Sequence, residues 1–237
     1  MSAHLAAGAG RPSAPIAGTR PEPGPLAQLR AGRLGRRLPQ LAVGLVLYGV
    51  SLAMMVRGGI GLAPWDVLHS GIARLLPLTL GQVVVAMSFV VLLLWIPLRE
   101  TPGLGTIANS LVVGFSADGT LAVLPAAHRA WEQVPLMLGG VVLCALATAM
   151  YIGSRLGRGP RDGLMTGLAR RTGLSVRLVR TAIEVTVVAL GWLIGGSVGV
   201  GTVVYALAIG PLVQPMLLWF EVQLPAYDRS ALAGDQH

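Results

Sequence analysis

The stretch GLAPWDVLHSGIAR, Gly61 to Arg74, returns 96 residues later as GRGPRDGLMTGLAR, Gly157 to Arg170, with seven identities in fourteen positions. In the same register, GLGTIANSLVVG (Gly103 to Gly114) returns as GVGTVVYALAIG (Gly199 to Gly210). Richness in Gly and Leu explains one such match, but hardly two at a single offset. The chain therefore reads as a duplication, a common design among membrane transport folds. Around the motifs lie six apolar runs, at about 39–56, 80–98, 104–124, 134–153, 178–196 and 200–220. Each is long enough to cross ~30 Å of hydrocarbon at ~1.5 Å per residue. Three runs fall in each copy.

Three crossings per copy start the second copy on the opposite face of the membrane, so the two halves are expected to be inverted about an axis in the membrane plane. The fold class is all-α: a polytopic membrane helical bundle of six transmembrane helices in two inverted three-helix repeats, 39–124 and 134–220. A disordered basic arm, 1–38, precedes them, and a tail, 221–237, follows. All 18 basic residues are arginine. With the N-terminus inside, fifteen fall on the cytoplasmic side and only Arg57, Arg74 and Arg129 outside, the asymmetry of the positive-inside rule. Both termini are then cytoplasmic and the protein lies in the cell membrane. The alternative is five spans, leaving out the fifth run, which holds Arg180 and Glu184. Arg36-Arg37 resembles a twin-arginine export signal, but no small-residue cleavage site follows it, so a signal anchor is the better reading.

Composition excludes much else. The chain of 237 residues is 54% hydrophobic and 12% charged, with mean hydropathy +0.69; a soluble domain carries about twice that charge. The single cysteine, Cys144, rules out an intramolecular disulfide framework and a thiolate metal site, and the four histidines (His4, His69, His128, His237) are scattered. No nucleophile and base pair, phosphate loop or metal cluster is visible. The expectation is no enzyme, no catalytic residues, no cofactor and no metal, and the net charge of +8 marks topology rather than nucleic acid.

The order G-x-x-P-W-D-V-L, a G-L-G-T-x-x-N span, Y-I-G-x-x-L-G-x-G-P-R-D-G-L-M and L-x-G-G-x-x-G-x-G-T resembles the YczE-like branch of the YitT family of bacterial membrane proteins, over about residues 40–222. GPRDGLM is the most specific part. The resemblance implies a multi-pass cytoplasmic-membrane protein and carries no settled biochemical activity with it.

Both motifs order Gly, Pro, one residue, then Asp. Pro64 and Pro160 suit the first position of a helix, which puts Asp66 and Asp162 opposite the free N–H groups of its first turn. The plainer reading of this pattern, with Gly61, Gly157 and Gly163 as structural glycines, is a pair of capped short helices at the two membrane surfaces. The functional reading is that both helices dip inward as broken elements and frame a central site for a cation or proton-coupled solute, because intramembrane charges usually mark pathways. Trp65 and Arg161 occupy equivalent positions and suit an interfacial belt and a cytoplasmic anchor, and Arg161 is also a candidate for the pathway. Thr106 and Thr202 open G-x-G-T spans and favour close helix packing over ligand contact. Asn109 has Tyr205 as its repeat partner. Asp118 is open between a pathway role and solvation, Glu184 pairs with Arg180 at i, i+4, and Pro211 and Pro215 interrupt or bend the last span.

The leading expectation is a small secondary transporter or permease with its site between the inverted halves. The alternative is a non-transporting scaffold that supports another membrane or biosynthetic protein. Expected partners are the lipid bilayer, an unidentified small solute or ion and, as an option, a second copy of the chain; nucleic acid is not among them.

Overall fold

The computed structural model describes residues 25–224. Among them the chain is all-helical, in the order α1 (Pro25–Arg30), α2 (Leu34–Gly58), α3 (Pro64–Leu75), α4 (Leu80–Leu98), α5 (Leu104–Val123), α6 (Ala130–Gly153), α7 (Pro160–Thr172), α8 (Val176–Leu193) and α9 (Val200–Phe220). Five of these, α2, α4, α5, α6 and α9, are long and apolar enough to cross a membrane. Helix α8 carries Arg177, Arg180 and Glu184 and is not among the five.

The two central helices, α2 and α6, run antiparallel. At one end Arg37 of α2 meets the carbonyls of Ser154 and Arg155 beyond α6, and at the other Gly58 lies against Gln133 and Met137. We refer to these as the Arg37 end and the Arg57 end. Helix α5 packs on α2 and α9 on α6, while the short helices cross over, α3 onto α8 and α7 onto α4. The two largest core clusters lie on either side of α2: one gathers Met55, Leu62, Val67, Met137, Val141 and Ile209, the other Leu41, Leu45, Leu52, Val84, Val113 and Leu156. Leu207, Leu218, Trp219, Trp192 and Leu193 point outward and are exposed, as side chains of a bundle facing lipid are.

The short helices are held by two clasps that recur at the sequence offset of 96. The Gly105 amide donates to the Leu156 carbonyl at 2.7 Å, and the Gly201 amide to that of Ile60 at 2.9 Å. Thr106 Oγ1 donates to the Arg158 carbonyl at 2.7 Å, and Thr202 Oγ1 accepts from the Leu62 amide at 3.1 Å. So the start of each G-x-G-T helix grips the segment leading into the short helix of the other half. Gly61 and Gly157 sit at φ +133° and +123°, a region disfavoured for side chains. A Cβ at Gly61 would lie 2.6 Å from the Thr202 amide nitrogen, and one at Gly157 would lie 3.0 Å from Thr106 Oγ1.

The pattern breaks at one seam. Helix α4 lies along α5, with a Cβ at Gly81 falling 2.1 Å from the Gly114 carbonyl oxygen, whereas α8 and α9 share no such packing and a Cβ at Gly210 meets nothing within 4 Å. Arg177 and Gly210 are the repeat equivalents of Gly81 and Gly114, so an arginine stands where the tight seam has a glycine.

Residues 1–24 of the expected arm and 225–237 of the expected tail lie outside the described residues. For the described part of the arm the expectation of disorder is corrected, and the described start of the tail packs on the bundle. Pro25–Arg30 is helical, α2 begins at Leu34, and Val222 and Leu224 are buried. Arg37, expected in a disordered arm, is fully buried: Nε donates to Ser154 at 2.8 Å, Nη1 to Gln28 at 2.7 Å and Gly32 at 3.1 Å, and Nη2 to Arg155 at 2.8 Å, each time to a carbonyl. A run of arginines before an apolar segment looks the same in sequence whether its members are solvated or, like this one, used to gather carbonyls left free at a helix end. Pro211 and Pro215 do not interrupt α9, which runs unbroken through both.

Candidate functional site

Pro64 and Pro160 open α3 and α7 at the first helical position, after backbone in an extended conformation at Ala63 and Gly159. That much follows from the sequence; where the helices start does not. Their N-terminal ends meet inside the bundle. Arg161 Nη2 lies 3.5 Å from Asp66 Oδ1, and the Arg161 guanidinium stands 5.3 Å from the centre of the Trp65 ring. The plainer reading, two capped helices on opposite surfaces, is therefore corrected, and so are the interfacial belt expected for Trp65 and the cytoplasmic anchor expected for Arg161. Trp65 is 7% exposed, in a cluster with Val91, Trp95 and Val187, rather than in an interfacial belt.

Two cavities open on this meeting point. The larger, about 210 Å³, is bounded by Trp65 and Pro64 of α3, Arg161 and Asp162 of α7, Tyr48 of α2, Tyr151 of α6, Arg180 and Glu184 of α8, and Tyr205, Gly210 and Gln214 of α9. It occupies the space that the missing α8 and α9 seam leaves. Because Arg180 and Glu184 lie in the first half of α8 and Gln214 in the last third of α9, it extends from the middle of the bundle toward the Arg37 end. The smaller, about 40 Å³, is lined by Tyr48, Ser88, Asn109, Tyr151, Arg161 and Asp162. Ser88 and Asn109 are the repeat equivalents of Glu184 and Tyr205, so the two cavities are unequal copies of one space around Arg161 and Asp162.

The carboxylates are not equivalent. Asp66, 1% exposed, takes a contact from His69 Nδ1 at 3.1 Å as well as the pair with Arg161. Asp162 borders both cavities and accepts a hydrogen bond from the Tyr151 hydroxyl. Glu184 is held by Arg180 Nε at 2.8 Å, the expected i, i+4 pair, and it also borders the larger cavity. Trp65 Nε1 is buried with no acceptor among the described residues. Gly163 is the point of contact with α4: a Cβ there would fall 2.0 Å from the Trp95 ring, whose Nε1 donates to the Pro160 carbonyl at 2.9 Å.

Of the other candidates, Thr106 and Thr202 form the clasps and Asn109 reaches the smaller cavity. Asp118 is half-buried and serves as a helix cap. It accepts from the Gly81 amide at 2.8 Å and from the Thr79 hydroxyl, capping α4. Sequence reasoning missed Tyr48, Tyr151, Tyr205 and His69 as part of the site. Each is a polar group in an otherwise apolar setting, and that was the available signal.

The sequence matches a family of unknown function, DUF6198, over residues 35–217. The chain belongs to this family. Similar sequences include an uncharacterized protein of Haemophilus influenzae, 38% identical over 73% of this chain and 80% of its own length. Another is the uncharacterized membrane protein YczE of Bacillus subtilis, 29% identical over 72% of this chain and 80% of its own. A third, YyaS of the same organism, is 23% identical over 68% and 82%. No solved structure matches. The DUF6198 match spans α2 to α9 almost entirely, so both short helices and the cavity between them lie inside it, and the likeness to YczE agrees with a membrane protein.

Proposed function

We propose that this DUF6198 member is a small permease of the cell membrane, built of two inverted three-span halves with α8 as the sixth crossing, and that the cavity at the meeting of α3 and α7 is its solute site. The observation that carries the reading is the 3.5 Å approach of Asp66 to Arg161: charges from two short helices, one in each half, are brought together in the bundle's interior beside open space. Non-helical backbone at membrane depth is tolerated where it is buried in protein or lines a cavity, and the segments leading into α3 and α7 fit that description through their clasps. Charges there are costly unless used. Helix α8 spans ~27 Å at ~1.5 Å per residue, and its Arg180 and Glu184 form an ion pair that borders the cavity. By the arginine distribution the Arg37 end is cytoplasmic, which makes the larger cavity inward-facing.

The test is a thermal-shift screen of purified protein against inorganic ions, organic anions, organic cations and zwitterionic metabolites. A ligand selective for the native state raises apparent stability. At least one compound is expected to raise Tm by several degrees in the natural protein and to fail in Gly210→Trp, which fills the cavity where nothing stands within 4 Å. If no compound does so, or if the effect survives Gly210→Trp, the cavity is not a solute site and a scaffold role takes its place.

A further inference from the structure

The charges around the cavity differ in how far their capacity is used. Asp162 is engaged by Tyr151, Glu184 by Arg180, and Asp66 by both His69 and Arg161. Donors are left over. Among the described residues the Trp65 indole N–H is buried without an acceptor, and Arg161 stands 3.5 Å from its carboxylate, well beyond the ~2.7–2.9 Å of a charge-assisted hydrogen bond. Arg161 borders both cavities, while Asp66 borders neither and sits behind it. The N-terminal ends of α3 and α7 add partial positive charge at the same place. A solute entering from the larger cavity thus meets the guanidinium before it meets Asp66.

Resting on the permease reading, we propose that the cavity binds a small monovalent anion at Arg161 and that the Asp66–His69 pair takes up one proton as it does so. The anion replaces Asp66 as the partner of Arg161. A carboxylate at 1% exposure that loses its counter-charge is too costly to keep ionised and is neutralised, here by a proton from water held between Asp66 Oδ1 and His69 Nδ1. On release of the anion the proton leaves and Asp66 returns to Arg161. One negative and one positive charge enter together, so the step is electroneutral. The other titratable groups near Asp66 are Tyr48 of α2, Cys144 of α6 and Tyr205 of α9, and Asp162 of α7 borders the cavity beside Arg161. Helix α4 presents Val91 and Trp95 and helix α8 presents Val187 to α3, and α8 also brings the Arg180–Glu184 ion pair to the cavity beside Trp65. Asp162 stays paired with Tyr151 and does not compete. In the second half the position of His69 is taken by Met165, which confines the proton site to α3.

The experiment measures proton uptake by the weakly buffered, purified full chain on adding sodium chloride, nitrate, acetate or lactate, with choline chloride and glycine betaine as controls. For the anion that binds, about one proton per chain is expected, with affinity falling about tenfold per unit as pH rises from about 6 to about 8. Asp66→Asn binds the anion without proton uptake and loses the pH dependence; Arg161→Gln loses binding. The pH dependence is read on the unaltered protein, so it stands even where a variant fails to fold. Binding of choline or betaine alone, anion binding without proton uptake, or no response to any of the four salts overturns the proposal. The first of these leaves the cavity intact as a solute site so long as Gly210→Trp removes it; an effect that survives Gly210→Trp is a failure of the site itself.

Discussion

The Asp118 carboxylate of α5 accepts from the Gly81 amide of α4 at 2.8 Å, so that one helix caps the first turn of its neighbour. Its repeat equivalent is Gln214, which borders the larger cavity and caps nothing there. The two residues therefore mark a closed seam and an open one. Replacing Asp118 by Ala removes the cap from the Gly81 amide and the partner of the Thr79 hydroxyl, a loss of about 1 kcal/mol. Asp118→Ala is expected to lower Tm, and Gln214→Ala to leave it unchanged. Intrinsic tryptophan fluorescence on heating measures both.

The same contrast holds for the seam glycines. At Gly81 an added methyl falls 2.1 Å from the Gly114 carbonyl oxygen, a backbone atom that has no room to move, whereas at Gly210 it meets nothing within 4 Å. Gly81→Ala forces α4 away from α5 and is expected to cost about 1–3 kcal/mol as overpacking. Gly210→Ala, exchanging glycine for a better helix former, is expected to be neutral or to stabilise by up to about 1 kcal/mol. If the two variants melt alike, the asymmetry of the seams is not a property of the folded protein.

The clasps give a matched pair of predictions. Thr106→Val leaves the Arg158 carbonyl and the Gly103 amide without the hydroxyl that bonds both, and Thr202→Val does the same to the Leu62 and Gly199 amides. Each loss is worth about 1–3 kcal/mol where the groups are buried. The clasps share no partner, so the double variant is expected to show the sum of the single effects. Thr→Ser at either site keeps the hydroxyl and most of the stability.

Arg37 is expected to be more sensitive than any other arginine of the N-terminal cluster. Its guanidinium serves four carbonyls, and Arg37→Ala strands them at a cost of about 3 kcal/mol or more. A lysine at that position keeps the charge but not the planar fork, so Arg37→Lys falls between. Arg36→Ala, at an exposed neighbour, leaves stability unchanged. Folded yield on size-exclusion chromatography in detergent ranks the three.

Much of this architecture was legible in the residues themselves. Apolar runs located the long helices to within a few residues, and the two Pro-x-Asp motifs located α3 and α7, because a proline at the first turn and a following apolar period are local signals. What the motifs did not carry is depth. Pro64 and Asp66 read the same whether their helix starts at a surface or inside the bundle, since the difference lies in Gly105 and Gly201, which hold the lead-in segments from distant parts of the chain. The partner of Arg161 was hidden for the same reason: one arginine among seven around a loop looks like a topology signal until the other short helix is placed beside it. Asp118 was undecidable because a helix cap supplied by a neighbouring helix has no fixed spacing in sequence.

Orientation is the remaining expectation that a single measurement decides. Leu78, just after α3, and Leu174, just after α7, are repeat equivalents at 39% and 50% exposure. In inverted halves they stand on opposite faces of the membrane, and by the arginine distribution Leu174 faces the cytoplasm. Cysteines introduced singly at the two positions are expected to differ in intact cells: Leu78→Cys reacts with a membrane-impermeant maleimide, and Leu174→Cys reacts only after the cells are opened. The native Cys144 is buried and does not contribute. Labelling of both from the same side would mean that the halves are parallel, and Asp66 and Arg161 would then meet without the two-sided access on which a permease depends.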